Sequence, residues 1–114
     1  EIVDCDWSSD VCSSDLIGGS VNAALLSFTK AMAELGIQDG VQVNCVSPGT
    51  IRTDRMKNRL KTPEEEAAFV RESRVTKIGE PADVAALVAF LVSPEGRFMH
   101  GSLIDADGGA TKTV

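Results

Sequence analysis

Apolar residues recur at helical spacing in the segment that follows Gly18. The positions at i, i+3, i+4 and i+7 intervals are Val21, Ala24, Leu25, Phe28, Met32 and Leu35. This stripe predicts an amphipathic helix that ends at Gly36. The apolar, β-branched segment 41–46 then predicts a buried parallel strand, which the Pro48-Gly49 pair terminates.

Two more helices and a last strand are predicted in the second half of the chain. Thr62-Pro63 followed by Glu65 is a capping-box start, and the weak apolar period after it predicts a partly exposed lid helix. Pro81 starts a better helix, and segment 101–107 is predicted to be a strand. The order is typical of an α/β fold. We expect the C-terminal part of a doubly wound parallel sheet, incomplete, with two strands and three helices.

The first sixteen residues differ from the rest of the chain. They contain the only Trp, two of the three Cys, and acidic residues without one base. Segment 6–16 resembles the translation, in one frame, of a common sequencing-library adapter. We therefore expect two regions: 1–16 as an artefactual, disordered extension, and 17–114 as the folded domain. Peptide mass mapping of the expressed protein tests this, because finding residues 1–16 in it contradicts the interpretation.

Removing this extension changes what the composition indicates. The formal net charge changes from −6 to about −1, because residues 1–16 contain acidic residues but no basic residue. Cys5 and Cys12 no longer suggest a metal site, so none is expected. Cys45 is then the only thiol, which favours a reducing, cytoplasmic location. No apolar run approaches the roughly 20 residues that span a membrane, and we expect neither a membrane nor a nucleic acid as partner.

Four ordered motifs resemble one family. They are Asn-Ala-Ala-Leu at 22–25, the strand end Val-Asn-Cys-Val-Ser-Pro-Gly-Thr-Ile-Arg-Thr at 43–53, Gly-Glu-Pro-Ala-Asp-Val at 79–84, and Gly-Ser-Leu-Ile-Asp-Ala-Asp-Gly-Gly at 101–109. Together they resemble the C-terminal part of a short-chain dehydrogenase/reductase, a Rossmann-fold oxidoreductase that uses NAD or NADP. The resemblance covers residues 17–114 and implies hydride transfer between nicotinamide and a carbonyl or alcohol substrate.

The resemblance also implies a cofactor site after the first strand. Family members hold the nicotinamide carboxamide with the residues that here are Pro48, Gly49, Ile51 and Thr53. Ile51 offers backbone groups and Thr53 offers a hydroxyl, which suit a carboxamide or a phosphate. The alternative is structural: the Pro-Gly pair simply ends a strand, and Thr53 N-caps the next turn.

The catalytic pair of the family is not preserved. The family's Lys position falls on Asn22 and its Tyr position on Gly18, and the chain contains no Tyr. Some members carry Asn in place of this Lys, with a Tyr slightly earlier in the chain. Asn22 is therefore a candidate to hold a ribose hydroxyl or a water, or it is only a polar residue at a helix start. A non-catalytic binding or scaffold subunit is the alternative function.

Further expectations concern the whole protein and its partners. The chain alone is expected to be inactive, because it contains no Gly-rich phosphate loop after a first strand. The parent is expected to take a small-molecule substrate and to be a homodimer or homotetramer. The subunit interfaces are expected at the apolar stripe of the first helix and at the last strand. The basic run from Arg55 to Lys61 either neutralises an anionic substrate or is a solvated loop. His100 is expected to be structural.

Overall fold

The computed structural model describes residues 9–111. In chain order its elements are α1 (Ser9–Asp39), β1 (Cys45–Pro48), α2 (Asp54–Arg59), α3 (Pro63–Ser73), α4 (Pro81–Leu91), a 3₁₀ turn (Pro94–Gly96) and β2 (Leu103–Ala106). The two strands pair in parallel, with Cys45 opposite Leu103 and Pro48 opposite Ala106. The predicted α/β class, with a partial, two-stranded parallel sheet, is confirmed.

Helix α1 is longer than the sequence predicted. It begins at Ser9, so part of the segment expected to be disordered is helical, and residues 1–8 lie outside the described residues. Segment 9–16 contains neither Pro nor Gly, so it can extend a helix already started by the sequence that follows it. The helix also continues beyond Gly36 to Asp39, and the turn follows at Gly40, whose φ is +68°.

The first strand begins later than predicted, at Cys45. The preceding backbone groups find partners outside the sheet: the Val41 N–H donates to the Gly36 carbonyl at 2.8 Å, and the Val43 N–H donates to His100 Nδ1 at 3.3 Å. His100 Nε2 lies 2.7 Å from the Ala33 carbonyl, which can only accept. His100 thus joins α1 to the segment before β1, in agreement with the structural role expected for it.

Both predicted helix starts in the second half are present. In α3, Thr62 Oγ1 accepts from the Glu65 N–H at 3.2 Å while the Glu65 carboxylate accepts from the Thr62 N–H at 3.1 Å. Helix α2 was not predicted from the sequence. It places Asp54 in its first turn and Lys57 and Arg59 in its last turn, an order that matches the helix dipole.

The described part of the chain buries few side chains. The buried residues with apolar side chains are Ala33, Ile78 and Leu91. The apolar stripe of α1 is largely exposed, with Phe28 at 58% and Leu35 at 56% of full exposure. None of the described helices is long and apolar enough to cross a membrane. Among the described side chains, those of residues 18–111, no group of His, Cys, Asp and Glu is arranged to hold a metal ion.

Candidate functional site

The carboxyl ends of β1 and β2 meet at one edge of the sheet. The Gly49 N–H donates to the Ala106 carbonyl at 3.1 Å, which extends the pairing by one residue beyond β1. A Cβ on Gly49 would lie 2.6 Å from the Asp107 Cα, closer than any real side chain approaches. Glycine is therefore required at position 49 by packing, and it brings the backbone of the two strand ends together.

The loop after Gly49 contains hydrogen-bonding groups that have no partner among the described residues, and two of them belong to Ile51 and Thr53. Ile51 forms an isolated parallel bridge with Gly79, and its carbonyl accepts from the Thr53 N–H at 2.8 Å. Within residues 9–111, no group accepts a hydrogen bond from the Ile51 N–H. Thr53 is the N-cap residue of α2, but its side chain makes no capping hydrogen bond. The position suits the structural interpretation of Thr53, whereas its hydroxyl remains available to a ligand.

The structure distributes the predicted site residues over neighbouring cavities. Asn22 and Pro48 line the same cavity of about 520 Å³, together with Ser47 and Asp105. Ile51 lines a second cavity of about 300 Å³, which also includes Gly79. Gly49 and Thr53 line neither cavity. Gly49 follows β1 directly, and Thr53 is the N-cap residue of α2.

Asp107 closes the second cavity and is held by backbone groups. Its carboxylate accepts from the Gly109 N–H at 2.8 Å and from the Thr111 N–H at 2.7 Å. The hydroxyl of Thr111, followed by these backbone N–H groups, lowers the pKa of Asp107 to about 2. Asp107 is therefore a fixed negative charge beside Gly49 at neutral pH.

Arg52 is a residue of the site whose contacts the sequence did not reveal. Its Nε donates to Glu80 Oε1 at 2.7 Å and its Nη1 donates to Glu66 Oε2 at 2.6 Å, while Nη2 contacts Glu66 Oε1. Hydrogen bonds from Arg52 lower the pKa of Glu66, and the two carboxylates raise the pKa of Arg52. Glu66 lies inside a run of three Glu residues, so no sequence signal distinguished it.

A third cavity, of about 720 Å³, lies beside this ion-pair cluster. The side chains of Arg52, Glu66, Lys57 and Lys61 line it, and Arg55 and Arg59 do not. Only part of the basic run therefore faces a cavity. Lys57 contacts Asp54 at 3.3 Å, a pair that is mostly exposed to solvent.

Sequence comparison places these features in one family. The family profile for enoyl-(acyl carrier protein) reductase matches residues 8–111, a range that includes all three cavities. This chain belongs to the short-chain dehydrogenase/reductase family. The match begins within the first sixteen residues, and it includes the strand end at Pro48-Gly49. Members of this family are NAD(P)-dependent oxidoreductases.

Curated relatives of this short-chain dehydrogenase/reductase chain are reductases of much greater length. A tropinone reductase homolog from Arabidopsis thaliana is 35% identical over 99 residues, covering 87% of this chain and 38% of its own length. A 3-oxoacyl-[acyl-carrier-protein] reductase from Vibrio cholerae is 36% identical over 90 residues, covering 79% of this chain and 36% of the relative. The chain thus spans little more than a third of the relatives that it matches.

Solved structures agree with the family and the fold. YwfH, an NADPH-dependent reductase of bacilysin biosynthesis, aligns with a TM-score of 0.73 and 32% identity, over 82% of this chain and 39% of its own. An NADPH-bound short-chain oxidoreductase from Pseudomonas aeruginosa, described as containing an atypical catalytic center, aligns with a TM-score of 0.75 and 25% identity, over 81% and 37%. The described residues therefore have the architecture of the C-terminal part of a Rossmann-fold enzyme.

Proposed function

We propose that the whole protein containing this sequence transfers hydride between NAD or NADP and a carbonyl or alcohol carbon of a small molecule. The observation that carries the proposal is the pair of unpartnered groups after Gly49, the Ile51 N–H and the Thr53 hydroxyl. They follow the carboxyl end of a parallel strand, where ligands bind in open α/β sheets. The similarity to a dehydrogenase solved in complex with NADH and to an NADPH-dependent reductase supports the choice of ligand.

The residues at the sheet edge have distinct roles in this proposal. Pro48 ends β1, and Gly49 lets the two strand ends approach each other at this edge. The Ile51 N–H donates to the carboxamide oxygen, and the Thr53 hydroxyl binds the amide or a phosphate oxygen. The bound dinucleotide supplies the hydride chemistry, and the protein positions it and excludes water.

Asn22 is proposed to hold a ribose hydroxyl or a water at the position of the family's Lys. It lines the same cavity as Pro48, which supports this placement. A neutral amide cannot lower the pKa of a phenol as a nearby ammonium does. The group that exchanges a proton with the substrate is therefore proposed to be a Tyr outside this sequence, since residues 1–114 contain no Tyr.

The chain alone is proposed to be inactive. Gly18 and Gly19 lie within helix α1 and do not form a phosphate-binding loop after a strand. Titration of the 114-residue chain with NADH and NADPH, followed by fluorescence, is expected to show no binding in the micromolar range. Micromolar binding by this chain contradicts this part of the proposal.

The whole protein supplies the decisive test of the cofactor site. Sequencing the gene upstream of the codon for Ile17 defines that protein, and NAD(P)H titration then measures its affinity. Thr53→Ala is expected to weaken cofactor binding about five- to tenfold, because one hydrogen bond to the cofactor is lost. Ser27→Ala, which removes a hydroxyl from α1 and lines neither the cavity of Ile51 nor that of Asn22, is the control. Equal affinities for the two variants contradict the role proposed for Thr53.

A non-catalytic binding or scaffold subunit is the second candidate, because of the Asn at position 22. The upstream sequence separates the two functions: a Tyr within a few residues of Ile17 and a Ser about a dozen residues before that Tyr favour the enzyme. We further propose a reducing, cytoplasmic location and a homo-oligomeric parent.

A further inference from the structure

Arg52 lies between the two residues whose free groups carry the proposed cofactor site. Its backbone N–H donates to the Gly79 carbonyl at 2.7 Å, and the Gly79 N–H donates to the Thr50 carbonyl at 2.9 Å. The loop is thus fixed to the segment before α4 by backbone hydrogen bonds on both sides of Ile51.

The side chain of the same residue leaves the loop and contacts two helices. Its guanidinium makes a two-point contact with Glu66 in α3 and one hydrogen bond with Glu80, the N-cap residue of α4. The side chains of Arg52 and Glu66 are 33% and 29% exposed, so the pair is partly shielded from water. Two-point arginine–carboxylate contacts fix orientation as well as distance.

Helix α3 has no fully buried residue. Its apolar residues Ala68, Phe69 and Val70 are only half-buried. Two of the three lysines that line the third cavity are paired elsewhere, Lys57 with Asp54 and Lys77 with Asp83. The contact with Arg52 is therefore the main polar connection between the lid helix and the cofactor loop in residues 9–111.

We propose that Arg52 is a positioning residue that couples the docking of the lid helix α3 to the conformation of the loop 50–53. When Glu66 holds the guanidinium, the Arg52 backbone is fixed, and the Ile51 N–H and the Thr53 hydroxyl on either side of it are held in their present directions. The lid helix and the cofactor groups then order together. The functional meaning of this coupling rests on the proposed function, whereas the coupling itself can be measured without any ligand.

Amide hydrogen exchange on the whole protein, expressed from the gene recovered upstream of Ile17 and measured without cofactor, tests the coupling. Glu66→Gln keeps the shape of the side chain but removes its charge, and Glu64→Gln is the matched control in the same helix. We expect Glu66→Gln to accelerate exchange at the Arg52 and Gly79 amides about two- to fivefold, and Glu64→Gln to leave them unchanged. Equal exchange in both variants, or no protection of these amides in the unaltered chain, overturns the proposal.

A rescue experiment separates positioning from a general loss of structure. Arg52→Ala is expected to release the same amides. Arg52→Lys keeps a cation covalently attached to the loop but cannot make the two-point contact with Glu66, so it is expected to restore part of the protection. Protection in Arg52→Ala equal to that of the unaltered chain, or no recovery in Arg52→Lys, overturns the proposal. Because these measurements use no cofactor, their outcome is independent of the NAD(P)H titrations that test the proposed function.

Discussion

Single residues at the sheet edge combine packing and charge. Gly49 is required because the Asp107 backbone occupies the space of a side chain, and Asp107 is required because its carboxylate satisfies the N–H groups of the turn that follows. The alternation of apolar residues in the sequence located the strand end at Pro48-Gly49. It did not indicate that Gly49 and Asp107 face each other, because that contact depends on how two distant strands pair.

Asp107 is expected to make the protein sensitive to acid. Its folded-state pKa of about 2 lies below the ordinary value of about 3.9, so its stabilising contribution is complete above pH 4 and is lost as the pH falls from 4 to 2. Asp107→Asn should flatten the dependence of the urea unfolding midpoint on pH in this range. Asp105→Asn is the control and should keep the dependence. Parallel pH profiles for Asp107→Asn and the unaltered chain contradict the assignment.

At the scale of elements, features that depend on residues close together in the sequence were predicted, and features that depend on contacts between distant residues were not. The start of α3 was located by its capping box and the start of α4 by the proline at its first position, and both signals are local. The contact between Arg52 and Glu66 joins residues fourteen positions apart, and the neighbouring Glu64 was an equal candidate. The late start of β1 likewise depends on His100, which lies far along the chain.

Two threonines at helix starts give an element-scale prediction. Thr62 caps α3 with a side-chain hydrogen bond, whereas Thr53 precedes α2 without one. Thr62→Ala is expected to lower the free energy of unfolding by about 1 kcal/mol, and Thr53→Ala by much less. Urea unfolding followed by circular dichroism measures both. Equal losses contradict the assignment of the Thr53 hydroxyl as available to a ligand.

At the scale of the whole molecule, the two-stranded sheet is too small to cover the apolar faces of the helices. A two-stranded sheet is marginal alone, and β1 has one edge without a partner among the described residues. The chain spans about 38% of its Arabidopsis relative, and the exposed stripe of α1 is the kind of surface that further chain or a second subunit covers. The assignment of residues 1–16 to an adapter remains a prediction for mass mapping.

The exposed stripe is expected to drive association of the chain. Sedimentation velocity over a range of concentrations should show oligomers, because Leu25 and Phe28 present adjacent apolar side chains at 51% and 58% exposure. The double variant Leu25→Gln/Phe28→Gln should shift the distribution toward monomer. Phe98→Gln removes a more exposed but separate aromatic ring and serves as the control. An equal shift in both variants shows that association does not depend on the stripe.

The parallel pairing of β1 with β2 has a consequence for the rate at which this chain folds. The first contacts between the strands, such as the Asn44 side chain with the Ser102 N–H, join residues 58 positions apart. Three helices lie within the loop that such a contact closes. Chains dominated by distant contacts fold slowly, because the entropy of closing the loop is lost before any contact compensates for it. Helices α3 and α4, which have local caps, are therefore expected to form first, and strand pairing is expected to limit the rate.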